Sequence, residues 1–226
     1  MSRRRAPRWY FSFRSPYSWM AYRDLTDRYP DVADAIDWLP FWEPDEPTNQ
    51  DLTERGIRLP YVPMSREKHL YILQDVRRLA RERDLDMVWP QDPDPHWEVS
   101  HLAYLVANRL GHGRRFIDAV YRARWEQGRD ISDTAVMAAV ASELGLDPEP
   151  FEKAATDPAV RDEGLASIEL LHRDGVFGVP YFIDGFDKYW GVDRLPAFVS
   201  RIRAQHLPPE LLAAAGVDQG HAGGCG

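Results

Sequence analysis

Trp9-Tyr10-Phe11-Ser12-Phe13-Arg14-Ser15-Pro16-Tyr17-Ser18-Trp19 reads as a strand that breaks at Ser15 and restarts at once as a helix. Trp9, Phe11 and Phe13 fall on one face of an extended run, Tyr10 and Ser12 on the other, and aromatics favour the extended state. Ser15 suits an N-cap, and Pro16 suits the first helical position, where a missing N–H costs nothing. The helix should run to about Tyr29, with Pro30 stopping it. Ser15 then sits at the positive end of a helix dipole beside unpaired backbone donors, which is a place to hold an anion.

The whole chain sets bounds on what this turn can serve. Its 226 residues are 44% hydrophobic and 28% charged with a net charge of −8, so a sizeable core is expected beneath an acidic surface. That charge argues against nucleic acid or an anionic membrane as partner. No run of about 18 apolar residues is present to span a membrane. Arg3-Arg4-Arg5 resembles the basic start of a signal peptide, but no apolar segment follows before Arg14; a solvated tail and a cytoplasmic protein are expected. The single cysteine, Cys225, leaves no intrachain disulfide and no Cys-x-x-Cys motif. The seven histidines show no metal-ligand spacing, and no metal is expected.

Outward from the first helix, residues 35–42 read as a second strand, with Pro40 favouring a sheet edge or a strand end. Residues 43–63, rich in Pro, Asp, Glu and Asn, read as a long loop. Helical periodicity then covers residues 72–80, about 97–110, 113–127, 132–144, 149–155 and 158–174, with Gly111 and Gly145 at two ends. From Gly175 the pattern changes to turn, strand, a turn at Asp184-Gly185-Phe186 and a short partner strand at 188–191. Asp193 is expected to cap a final helix carrying Leu195, Phe198, Val199 and Ile202. Periodicity therefore gives an α/β domain interrupted by a helical block. Residues 8–62 and 175–206 form the split α/β part, 63–174 the insertion, and 1–7 and 207–226 flexible tails.

Ser15-Pro16-Tyr17-Ser18, Gly178-Val179-Pro180 and Trp190-Gly191-Val192-Asp193-Arg194 together resemble the DsbA-type thioredoxin-fold family. Within it they are similar to the branch of 2-hydroxychromene-2-carboxylate isomerases and kappa-class glutathione transferases. The resemblance spans residues 8 to about 205. It implies a thioredoxin-like fold with an inserted all-helical domain, a cis bond at Val179-Pro180 and a homodimer. Redox relatives carry Cys-x-x-Cys where this chain has Ser15 and Ser18. A hydroxyl forms no disulfide, so dithiol chemistry through this motif is excluded. A hydroxyl beside helix N–H groups can still stabilise a thiolate brought by a cosubstrate.

The same resemblance implies glutathione or another low-molecular-weight thiol as cosubstrate. Ser15 would activate it, the backbone of Val179 before Pro180 would pair with it as an added strand does, and Asp193 would meet its ammonium. Arg14 is the second candidate catalytic residue, suited to a substrate carboxylate. The chain departs from the family pattern at three points. The loop after the second strand has no clear Asn, Asn49 being the nearest. Tyr181 follows the proline where relatives usually carry a small residue such as Thr, and is expected to narrow or reshape the thiol groove. Arg14 adds a positive charge before Ser15.

The function expected is isomerisation or conjugation of an electrophilic, aromatic and acidic small molecule. Two alternatives stay open: a tailoring enzyme of secondary metabolism that dispenses with the thiol, and a non-catalytic module that holds an extended peptide along the proline groove.

Overall fold

The computed structural model describes residues 5–59 and 64–205. Four short strands form one mixed sheet in the order β2-β1-β3-β4. Strand β1 (Arg8–Phe11) runs parallel to β2 (Asp37–Pro40) and antiparallel to β3 (Tyr181–Asp184), which pairs antiparallel with β4 (Asp187–Trp190). Pro40 ends an edge strand, where its missing N–H breaks no ladder. The parallel pair needs a crossover, supplied by helix α1 (Pro16–Arg28) and the short α2 (Pro30–Ala35). Pro30 does end α1, but it also opens α2 at once as the first helical residue, a restart the sequence reading did not include.

Both faces of β1 are buried. Trp9, Phe11 and Phe13 enter the main core, whereas Tyr10 joins a second cluster with Leu171, Val176, Tyr181 and Ile183. Trp9 meets Trp38 edge-on at 4.8 Å and Phe11 meets Tyr104 at 5.2 Å. Fully burying such side chains stabilises by roughly 1.5–3 kcal/mol each.

Between β2 and β3 the chain is helical: α3 (Glu46–Glu54), α4 (Arg66–Arg81), α5 (Glu98–Arg109), α6 (Gly113–Tyr121), α7 (Thr134–Glu143), α8 (Glu149–Glu152) and α9 (Pro158–Asp174). Helix α3 corrects the expected loop over 43–63. Asp45 caps it by accepting the Thr48 N–H at 2.9 Å, and Pro47 lies in its first turn. Helix α6 continues into a π-helical turn, Arg122–Glu126, rather than as plain α-helix.

After β4, Gly191 turns the chain at a φ of 103° into a 3-10 turn, Val192–Arg194, and then α10 (Leu195–Gln205). Asp193 lies inside that turn and is not the cap of the last helix, because the break falls two residues earlier, at the glycine. The tails expected at 1–7 and 207–226 lie, apart from residues 5–7, outside the described residues. No helix of the described residues is long and apolar enough to cross a membrane.

Candidate functional site

The strand-to-helix turn is closed by its own backbone. The Ser15 N–H donates to the Ser12 carbonyl at 3.1 Å, and Ser15 adopts an extended cap conformation with φ −85° and ψ 118°. Its Oγ accepts the Ser18 N–H at 3.2 Å, and its carbonyl accepts the Trp19 N–H at 3.0 Å. Pro16 has no N–H to lose, and among the described residues the Tyr17 N–H takes no acceptor. Ser15 is half-buried; Ser18 is fully buried, its Oγ accepting the Ser12 N–H at 3.3 Å. The Ser15 hydroxyl hydrogen and the Tyr17 N–H are thus two donors at a helix N-terminus.

Side chains of the helical block hold the rest of the turn. His101 on α5 is fully buried; its Nε2 accepts the Phe13 N–H at 3.1 Å and lies 3.3 Å from the Ser12 Oγ. Its Nδ1 sits 2.6 Å from the Trp97 carbonyl and therefore carries the proton. Burial, with a smaller push from the Arg124 charge, drives the imidazole pKa down to about 3 against the opposing bond to Trp97, so the ring is neutral. Tyr121 donates to the Ser12 carbonyl at 3.2 Å, and Trp125 Nε1 donates to the Phe13 carbonyl at 3.2 Å. The π-helical turn carries Trp125 and the buried Arg124, which grips Asp92 with two bonds of 2.8 Å.

Among the described residues, Arg14 hydrogen-bonds none of these turn groups. Its Nη1 donates to Glu43 Oε1, and its guanidinium lies 5.3 Å from the ring centre of Trp97, over which Arg124 also lies at 5.1 Å.

The Val179–Pro180 peptide is cis, and Pro180 is buried. Tyr10 pairs with Tyr181, the residue that follows Pro180. The Pro180 carbonyl accepts the Gly191 N–H at 3.0 Å, and the Val192–Arg194 turn packs against α1. Asp193 is exposed, with Arg194 3.7 Å away. Among the described residues, neither Val179 nor Asp193 hydrogen-bonds Ser15 or Arg14. Tyr181, only 4% exposed, packs in the second core cluster with Phe177 edge-on at 5.4 Å. Asn49 donates to the Pro44 carbonyl at 3.0 Å.

Asp45, His96 and Glu98 come close enough to suggest a metal site. A guanidinium already satisfies the carboxylates: Arg161 donates to both Asp45 oxygens at 3.1 Å, to Glu98 at 2.9 Å and to Thr48 at 3.0 Å. Burial alone would raise the Asp45 pKa, but the Arg161 bonds and the Thr48 N–H outweigh it and hold the carboxyl well below its usual range.

The model of the DSBA-like thioredoxin domain matches residues 8–203. The chain belongs to that family. A 2-hydroxychromene-2-carboxylate isomerase of Sphingobium xenophagum is 27% identical to this DSBA-like chain over 191 residues, 82% of this chain and 92% of the relative. A solved 2-hydroxychromene-2-carboxylate isomerase superposes with a TM-score of 0.69 at 22% identity, over 88% of this chain and 97% of that one. The cytosolic disulfide reductase DsbM of Pseudomonas aeruginosa, solved with GSH, gives 0.56 at 17% identity, over 87% and 98%.

The DSBA-like chain brings to its Ser15 turn several residues that sequence reading missed: His101, Glu43, Trp97, Tyr121, Arg124 and Trp125. For His101 a signal existed, because Trp97, His101, Tyr104 and Leu105 share one apolar helix face. For Glu43 none did.

Proposed function

We propose that this chain is a small-thiol-dependent isomerase or transferase acting on an electrophilic, aromatic and acidic small molecule, with Ser15 activating the thiol. The observation that carries this reading is the Ser15 hydroxyl. Its oxygen already accepts the Ser18 N–H, so its hydrogen is left to donate, beside the Tyr17 N–H, which has no acceptor among the described residues, and the positive end of α1. Two such donors favour a thiolate over a thiol, and the relatives named isomerases favour isomerisation over conjugation.

Bound there, glutathione or a similar thiol supplies a nucleophile that adds reversibly to a conjugated ketone and frees a double bond to rotate. The chain's own residues then have separate tasks. Ser15 and the Tyr17 N–H stabilise negative charge on sulfur. The Val179 backbone takes the thiol peptide as an added strand, with Pro180 shaping that edge. Asp193, exposed on the turn tied to Pro180, meets an ammonium, and Arg14 meets a substrate carboxylate. The helical stretch 63–174 acts as an insertion that holds the turn, in a cytoplasmic homodimer.

The test is calorimetric titration with glutathione, followed by turnover of 2-hydroxychromene-2-carboxylate by wild type and Ser15→Ala. Thiol-dependent turnover lost in the variant supports the assignment; unchanged turnover removes Ser15 from it. Turnover without any thiol would favour direct action of Ser15 and Arg14 on the substrate. Capture of an extended peptide with no thiol binding would favour a binding module.

A further inference from the structure

Arg14, adjacent in sequence to Ser15, is held by Glu43, and the segment carrying Glu43 is fastened on both sides. Trp42 is buried and stacks on His101 at 5.5 Å, while the Asp45 N–H donates to the buried Glu98 at 3.1 Å and the Asp45 carboxylate takes Arg161. Glu43 itself stays 37% exposed and Arg14 40% exposed. The neighbouring pair of Arg124 and Asp92 is the opposite case, since its cation is 2% exposed and bound twice.

These two pairs differ in what they permit. A half-exposed ion pair is worth little, because water competes for both partners, and is easily exchanged. The guanidinium keeps its orientation through Trp97, whose ring is nearly buried, so an incoming carboxylate finds the fork already aimed. Exchange of one carboxylate for another keeps the guanidinium paired, and the released Glu43, already part-exposed, passes to water. A neutral ligand offers nothing to replace Glu43.

We propose that Glu43 stands in for the carboxylate of the substrate: it holds Arg14 over Trp97 and yields it only to an anionic ligand, which makes Arg14 the residue that selects acids. The inference rests on Ser15 being the reacting centre, since that is what places Arg14 beside the substrate.

Its test needs no turnover. Thiol-free protein is titrated with 2-hydroxychromene-2-carboxylate and with its methyl ester, followed by tryptophan fluorescence. Wild type should prefer the acid. Glu43→Gln should tighten the acid about three- to five-fold, the exchange value of a half-exposed pair, and leave the ester unchanged. Arg14→Met should lose the preference with an unaltered circular dichroism spectrum. Equal affinity for acid and ester in wild type overturns the proposal. So does failure of both Glu43→Gln and Glu43→Ala to tighten the acid. Thiol-independent turnover with the acid preference intact would remove the thiol reading and leave this one standing.

Discussion

His101 Nε2 accepts the Phe13 backbone N–H at 3.1 Å, joining a fully buried imidazole to the turn that presents Ser15, 88 residues earlier in the chain. This ring has an ordinary pKa of 6.5 when unfolded and about 3 when folded. Between those values the unfolded chain binds a proton that the folded chain refuses, so stability falls as pH drops below 6.5. The slope attributable to His101 should approach 1.4 kcal/mol per pH unit. Urea unfolding at several pH values would measure it, and His101→Leu should be less stable at neutral pH with a flatter acid limb. An unchanged acid limb would mean that the ring is not held neutral.

Ser15 combines two roles that substitutions can separate. Ser15→Ala removes the cap, which costs about 1 kcal/mol and lowers Tm by roughly 2–4 °C for a chain of this length. Ser15→Asp keeps a good cap but places a negative charge where a thiolate would sit. Its Tm should match or exceed that of wild type while thiol-dependent turnover disappears. Turnover surviving in Ser15→Asp would argue against anion stabilisation at this helix end.

Arg161 is the cation for two acids, one of them the buried Glu98. Removing it in Arg161→Met leaves those carboxylates uncompensated and should destabilise by roughly 3–5 kcal/mol. The loss should be larger than for Arg109→Met, whose pair with Glu163 is exposed. Chemical denaturation of both variants makes the comparison, and equal losses would contradict the burial argument.

Asp174, at the end of α9, accepts from Arg8 Nε and from the Tyr10 hydroxyl, both at 2.6 Å. The Arg8 bond and the Tyr10 bond overcome a burial effect that would raise its pKa, and lower it. Asp174→Ala strands a nearly buried Arg8 and should cost roughly 3–5 kcal/mol, whereas Asp174→Asn, which still accepts one bond, should cost less. Thermal unfolding orders the two variants.

Much of this architecture was legible because local signals agreed with the final packing. Ser15-Pro16 marked a helix start, the spacing of Val160, Leu165, Ile168 and Leu171 marked the helix over 158–174, and the alternation of Trp9, Phe11 and Phe13 marked a strand face. Helix α3 was hidden because its nine residues bury only Thr48 and Leu52, too few for a periodic pattern. The π-helical turn was hidden because Arg122–Glu126 continues an amphipathic repeat, and its register change depends on what Trp125 and Arg124 reach. The chemistry was legible only where it sat in one stretch. Ser15 announced itself, but Arg14 and Glu43 lie 29 residues apart, and nothing local in either links it to the other.

Ser12 and Phe13 hand both of their carbonyls and the Phe13 N–H to three side chains, His101, Tyr121 and Trp125. Excising the helices to make a miniature scaffold would take those partners away and open the aromatic face of Phe11 and Phe13 to water. Grafting the Ser-Pro corner onto a stripped sheet would likewise import a junction with its fasteners missing. Any attempt to trim or transplant this centre must therefore carry the three aromatic side chains with it, although none lies within eighty residues of the serine.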